Sequence, residues 1–318
     1  MPRGVGAEPP PALPAPLYQG AVNTWECDAN GHLNVRFQLE RATVHGLAQM
    51  AAALKLRGAF RDDAGATLIP RDMHVRFLRE AHPNNPLSMS GGVLAFGADD
   101  AALCFDMRHF DGAPATAFRM TVAHVEPLQL RPFPWSARSR DAAATLACAL
   151  PPHAEPRAID ITRAPGKPSL DQARQLGALR IGAQVVSPDQ CDAFGRLRAE
   201  HVFGRLSDSV PHLFSEWRRE AVATGAPPTL SGAVVEARLV FRAWPRAGDL
   251  IEVHSGLAEL TTKLTRIVHW LLDPASGKPW ASAEVVAINF DLATRKAAEL
   301  PADLVAARQP RVVSGMTI

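Results

Sequence analysis

Cysteine is scarce in this chain, and an excess of charge of either sign is missing. Four cysteines, Cys27, Cys104, Cys148 and Cys191, occur in 318 residues. None forms a CxxC pair, and no charged-then-apolar leader precedes them. Reduced thiols in a cytoplasmic protein are therefore expected, not a disulfide framework. The formal net charge is +2, and arginine outnumbers lysine without any long basic run. Nothing in that balance calls for a nucleic-acid partner. No apolar run approaches the length of a membrane span, so no membrane partner is expected. The chain also lacks HExxH, Gly-x-Ser-x-Gly and a Gly-rich phosphate loop. Those absences argue against zinc-protease, serine-hydrolase and nucleotide-loop chemistry. The histidines show no ligand spacing, so neither a metal nor a resident cofactor is expected.

What the chain does have is a repeat. Cys27-Asp28-Ala29-Asn30-Gly31-His32-Leu33 returns in altered form as Cys191-Asp192-Ala193-Phe194-Gly195-Arg196-Leu197. The offset is 192 − 28 = 164, and it holds downstream: Phe77 meets Phe241, Gly92 meets Gly256 and Val122 meets Val286. A constant offset over about a hundred positions indicates two copies of one domain. Hydrophobic residues make up 47% of the chain, enough for two ordinary cores. Cys27 and Cys191 share one repeat position, which favours a packing role over nucleophilic work.

Each copy reads in the same order. A short strand (18–26, then 181–187) leads into the Asp-containing loop. A helix follows, expected over 35–56 with Asn34 as its N-cap and with Leu39, Leu47, Met50, Ala51 and Leu54 on one face. In the second copy Pro211 is expected to break or kink the helix, with Ser209 capping a new one. Four strands joined by hairpins come next, near 68–80, 86–94, 101–110 and 115–125, then near 233–243, 249–257, 263–272 and 280–290. The expected fold class is α+β, a mostly antiparallel sheet with a helix on one face in each copy. The expected domains are a disordered Pro-rich lead-in (1–17), a first domain (18–126), a partly helical linker (127–177), a second domain (178–292) and a C-terminal extension (293–318). Within the linker, 137–150 is Ala-rich and Pro-free and reads as a helix.

Asp-x-Asn-Gly-His-x-Asn at a loop-to-helix junction, in this strand order, resembles the hotdog-fold thioesterases. The likeness is to the 4-hydroxybenzoyl-CoA thioesterase branch and, in its Asp-x-Asn-x-His spacing, to the tandem acyl-carrier-protein thioesterases of plants. It covers roughly 18–126 and 178–292. The resemblance implies two hotdog units, each a long helix wrapped by a curved antiparallel sheet, paired as a pseudo-dimer within one chain. It implies hydrolysis of an acyl-CoA or acyl-ACP thioester, with coenzyme A only as part of substrate and product. Asp28 would be nucleophile or general base, Asn30 and His32 would orient it or the water, and N–H groups near Asn34 and Val35 would polarise the carbonyl.

A carboxylate just before a helix start suits that chemistry, because the helix end supplies free N–H groups and partial positive charge. Gly31 permits a sharp turn and close substrate approach. The same pattern also serves as an ordinary cap and turn. The second loop keeps Asp192 and Gly195 but has Phe194, Arg196 and Arg198 in place of Asn30, His32 and Asn34. Asp192 there reads as an ion pair with the arginines. The sharper alternative has Asp192, Arg196 and Arg198 lining a substrate pocket and meeting a phosphate or an acyl-chain carboxylate. One productive site per chain is expected, and pairing of whole chains into a homodimer is left open. Two rivals stand beside hydrolysis: a non-catalytic acyl-thioester-binding protein and a hydratase or dehydratase. The hydratase pattern places His five residues after Asp with an intervening Pro, whereas His32 is four after Asp28.

Overall fold

The computed structural model describes residues 13–223, 229–294 and 296–318. Its strands form one antiparallel sheet in the order β1-β3-β4-β5-β2-β7-β10-β9-β8-β6, with β11 on β10. In the first half these are β1 (Ala15–Ala21), β2 (Thr67–Phe77), β3 (Pro86–Phe96), β4 (Asp100–His109) and β5 (Pro114–Val125). The second half supplies β6 (Leu179–Val185), β7 (Leu230–Phe241), β8 (Leu250–Leu260), β9 (Leu264–Leu272), β10 (Pro279–Asp291) and β11 (Lys296–Ala297). The halves join where β2 pairs with β7, which removes the open edge each unit would otherwise present.

That junction carries a local pseudo-twofold axis. His74 lies opposite Arg238, its own repeat equivalent (238 − 74 = 164), while Asp72 and Glu236 are likewise equivalents. Side chains alternate across the pleat. Met73, Val75, Ala237 and Leu239 join the core, and the intervening polar residues take the other face. There His74 Nε2 meets Glu236 Oε1 at 2.8 Å and Arg238 Nη2 meets Asp72 Oδ2 at 2.6 Å, so each carboxylate binds the other copy's central residue. Burial alone would raise the Glu236 pKa. His74 and the N–H groups of Ala158 and Arg157 outweigh it and hold the carboxyl down at about 2. The linker supplies those N–H groups because it crosses the seam here. Arg157, Ala158 and Ile159 donate to Glu236, and Arg238 donates to the carbonyls of Asp160 and Arg163.

In the first half the core helix comprises α1 (Val35–Glu40), a π-helical stretch (Arg41–Gly46) and α2 (Leu47–Ala53). Leu39, Leu47, Met50, Ala51 and Leu54 are all buried, as their spacing requires. Each large side chain among them contributes about 1.5–3 kcal/mol by leaving water. Gly46 allows the helix close to the sheet, because a Cβ there would lie 2.8 Å from Met89 Cε. The linker holds α3 (Ala137–Thr145) and α4 (Leu170–Gln175). The second core helix, α5 (Glu200–Ala223), corrects the expectation at Pro211: it runs through the proline, and Ser209 caps nothing. Pro211 sits on the exposed side, while Leu206, Leu213 and Trp217 bury the opposite face. Tertiary packing thus holds together a helix that loses one internal hydrogen bond.

One terminal segment also differs from expectation. Most of the lead-in expected at 1–17 lies outside the described residues. Its last part is ordered instead, because Ala15 and Leu17 are buried as part of β1 against β3. The C-terminal segment turns back through α6 (Ala302–Arg308), and Leu300, Leu304, Met316 and Ile318 are buried. Among the described residues no helix is long and apolar enough to cross a membrane.

Candidate active site

The first Asp loop is built by short-range hydrogen bonds. Asn23 and Glu26 form a capping box around a 3-10 turn, Thr24–Glu26. The chain then pairs Cys27 with Leu33 in an isolated bridge and folds tightly between them. Asp28 N donates to His32 O at 2.9 Å, and Gly31 N donates to Asp28 O at 3.0 Å. Gly31 has φ of 77°, a left-handed conformation that favours glycine. The Asp28 carboxylate accepts from Asn30 N at 2.8 Å, so one oxygen fixes the turn. Its other oxygen lies 3.2 Å from His32 Nδ1. The two side chains are 26% and 20% exposed, shielded yet reachable from solvent.

Helix α1 begins at once after this loop. Asn34 is its N-cap, accepting from Arg36 N at 2.9 Å. The N–H of Asn34 itself goes to Glu26 O at 2.9 Å. Of the first-turn donors expected near the carbonyl, those bonds leave the Val35 N–H. The helix is anchored by Arg41, whose buried guanidinium donates to Glu26 Oε2 (2.8 Å), Ala21 O and Phe37 O. Arg205 makes the corresponding contacts in the second half, to Gln190 and Val185 O.

The structure brings in two residues that sequence reasoning missed. Glu80 and His82 follow the end of β2, where Ala81 O accepts from Leu33 N at 2.7 Å and pins the segment to the loop. His32 Nε2 is 3.8 Å from Glu80 Oε1, and His82 Nε2 is 3.6 Å from Glu80 Oε2. His82 Nδ1 lies 3.0 Å from Gly31 O. A readable signal existed. At the same offset the second copy has Trp244 and Arg246, so the copies diverge here as they do at Asn30 and His32.

The second loop has the same fold and different contents. Asp192 accepts from the N–H groups of Phe194 and Arg196, both at 2.9 Å, and Arg196 closes on it through Nε (2.9 Å) and Nη2 (2.8 Å). Arg196 Nη1 donates to Pro127 O, and its side chain is 4% exposed. These contacts assign Arg196 to the loop's own support, and the ligand-facing alternative gains nothing from them. Arg198 is likewise engaged, by Glu200 Oε1 (2.8 Å) and His201 Nε2 (2.9 Å). Glu200 also accepts from Thr43 Oγ1 of the π-helical stretch at 3.1 Å, linking the two core helices. Burial raises the Glu200 pKa. Burial, with Arg36, Arg198 and Arg205 nearby, lowers that of His201 to about 3. Among the described residues no three His, Cys, Asp or Glu side chains are grouped to hold a metal ion.

Two units, each a helix wrapped by an antiparallel sheet and sharing that sheet at its centre, make this a tandem hotdog protein. The chain belongs to the thioesterase-like superfamily, whose family model matches residues 22–143 and again 186–307. The two matches start 164 residues apart (186 − 22), the offset of the repeat itself. Thioester hydrolysis is the chemistry of the class, and the chain is a thioester hydrolase. No curated protein matches it significantly. Solved structures similar in fold include a protein described as an oleoyl thioesterase from Lactobacillus plantarum (TM-score 0.63, 12% identity, covering 85% of this chain and 94% of that one). An acyl-ACP thioesterase from Bacteroides thetaiotaomicron is similar too (TM-score 0.58, 13% identity, 85% and 96% covered). So is a 12:0-ACP thioesterase from Umbellularia californica (TM-score 0.59, 12% identity, 86% and 93% covered).

Proposed function

We propose that this chain hydrolyses an acyl thioester of coenzyme A or acyl-carrier protein at one site, the loop around Asp28. The observation that carries this reading is the 3.2 Å contact between Asp28 and His32 at the start of α1, in a loop whose second copy closes its carboxylate with Arg196. A thioester is already activated, so it needs a carboxylate to attack it or to activate water, and a donor for the developing oxyanion. Asp28 supplies the first as general base or nucleophile. The Val35 N–H and the positive end of the helix supply the second. His32 holds the free oxygen of Asp28, and Asn30 shares the turn. In the general-base form, water gives its proton to Asp28 as its oxygen bonds to the acyl carbon; the C–S bond then breaks, and Asp28 returns that proton to the departing sulfur to release the thiol.

Two of the structures similar in fold act on acyl-ACP by their descriptions, which makes acyl-ACP the first carrier to test beside acyl-CoA. The experiment is thiol release from matched acyl-CoA and acyl-ACP panels. Turnover on at least one carrier, with kcat lowered roughly 10²-fold or more by Asp28→Asn, is the expected result. Wild-type turnover in Asp28→Asn would overturn the assignment.

A further inference from the structure

Resting on that reading of the site, we infer that His82 is a positioning residue for the reaction: its ring ties the Gly31 turn to the segment of Glu80 and helps hold Glu80 opposite His32. Four side chains form a row. Asp28 contacts His32 (3.2 Å), His32 faces Glu80 (3.8 Å) and Glu80 faces His82 (3.6 Å). The row closes on itself, because His82 Nδ1 lies 3.0 Å from the Gly31 carbonyl in the turn that holds Asp28.

The ring's orientation follows from donor and acceptor chemistry. A carbonyl oxygen only accepts, so Nδ1 of His82 carries the hydrogen that reaches Gly31 O. That bond turns Nε2 toward the Glu80 carboxylate, 3.6 Å away. Other charges face this pair: Arg79 from its own segment, ion-paired to Asp111 of the β4–β5 turn, and His109, which feels His82 electrostatically. Those groups remain in every variant below.

The second copy separates the two parts of this role. Arg246 occupies the His82 position, and its Nη1 reaches the Phe194 carbonyl at 3.4 Å, so a clamp from strand end to turn is kept. Trp244 stands where Glu80 stands, stacked on Phe241, and the carboxylate link is gone. The clamp alone is thus a feature of both loops. The contact with a carboxylate belongs to the reactive one.

The test compares full-length wild type with His82→Gln, His82→Lys and Asp28→Asn in kcat and KM across pH. His82 is 44% exposed, and its backbone N–H is held separately by Asn85, so the side-chain variants fold. His82→Gln is expected to lower kcat roughly tenfold with little change in KM, a smaller loss than for the general base itself. His82→Lys, which keeps a charged donor toward Glu80, recovers much of kcat. A His82→Gln kcat equal to wild type overturns the inference. So does an equal loss in the Gln and Lys variants, because a purely structural clamp would behave that way. An inactive Asp28→Asn beside a wild-type-like His82→Gln removes this inference alone. An active Asp28→Asn removes the site reading and this inference with it.

Discussion

The loop at Asp28 and the loop at Asp192 share their backbone hydrogen bonds almost one for one. Asp28 N to His32 O (2.9 Å) matches Asp192 N to Arg196 O (2.7 Å), and Leu33 N to Ala81 O (2.7 Å) matches Leu197 N to Pro245 O (2.8 Å). Gly31 and Gly195 have φ of 77° and 76°. Cys27 and Cys191 both reach back to a carbonyl four residues earlier, at 3.6 and 3.7 Å. The aspartates themselves are therefore part of a turn the fold needs in both halves. What differs is the partner of the remaining carboxylate oxygen. An imidazole at 3.2 Å can share or release a proton, whereas a guanidinium at 2.8 Å stays charged and holds its oxygen in an ion pair. On the proposed reading, the exchange of His32 for Arg196 at a fixed offset separates a carboxylate that reacts from one used as a strut.

Removing each partner should break this contrast in opposite ways. His32→Ala is expected to lower kcat by roughly 10²-fold while the melting temperature holds, since His32 is partly exposed and its loss strands no deeply buried group. Arg196→Ala should do the reverse. It removes the side-chain donors of Asp192 Oδ2 and of the Pro127 carbonyl and costs about 2 kcal/mol of stability, with kcat retained well below the melting transition. Thermal denaturation and thiol release on the same preparations check both.

At the seam, Glu236→Gln is expected to cost about 3 kcal/mol, because it weakens a buried cluster that collects His74 and three linker N–H groups. The pH dependence has a defined sign. The folded pKa of Glu236, about 2, lies below the ordinary carboxyl value of 4.5. Its contribution is complete above about pH 4.5 and is lost as pH falls through about 2. His201 adds a loss that starts higher, because its folded pKa of about 3 lies below 6.5. The raised pKa of Glu200 opposes both. Denaturation midpoints measured from pH 7 to pH 3 should fall in the wild type, and in Glu236→Gln the steepest part below pH 4.5 should flatten.

The smallest effects come from the two glycines. Gly31→Ala and Gly195→Ala each force a Cβ into the left-handed region, at roughly 1–2 kcal/mol. No atom lies within 4 Å of the added Cβ at Gly31, and Arg246 Nη1 is 3.7 Å away at Gly195, so strain and not collision sets the cost. Similar losses in melting temperature are expected. Only Gly31→Ala should also disturb kcat, because the proposed reaction uses only the carboxylate that turn aims.

Most of this contrast was legible in the sequence, and the reasons are local. The offset of 164 aligned the two loops, and the Asx and glycine positions dictated the turn that both adopt. The turn signals gave the hairpins β3–β4–β5 and β8–β9–β10, but not the place of β2 and β7, which were expected to form hairpins with β3 and β8 and instead pair with β5, with β10 and with each other; the continuous sheet followed from the need of each unit to pair its edge. Glu80 and His82 were not legible from the motif, because they arrive from a strand end some fifty residues later. Their contact depends on one backbone bond, Leu33 to Ala81. Pro211 misled because helix propensity is a local property and α5 is held by tertiary burial. The linker's path over the seam was also hidden, since its N–H groups are recruited by Glu236, whose partner His74 belongs to the other copy.

The central claim is that the two aspartates have the same structural position and different chemical work. Its most direct test is the ratio of kcat for Asp28→Asn to kcat for Asp192→Asn, taken in one thiol-release assay at a temperature where both are folded. The account predicts a ratio of roughly 10⁻² or less, with Asp192→Asn near wild type and registering mainly as lost stability. A ratio near one, with both variants equally impaired or equally active, would contradict it.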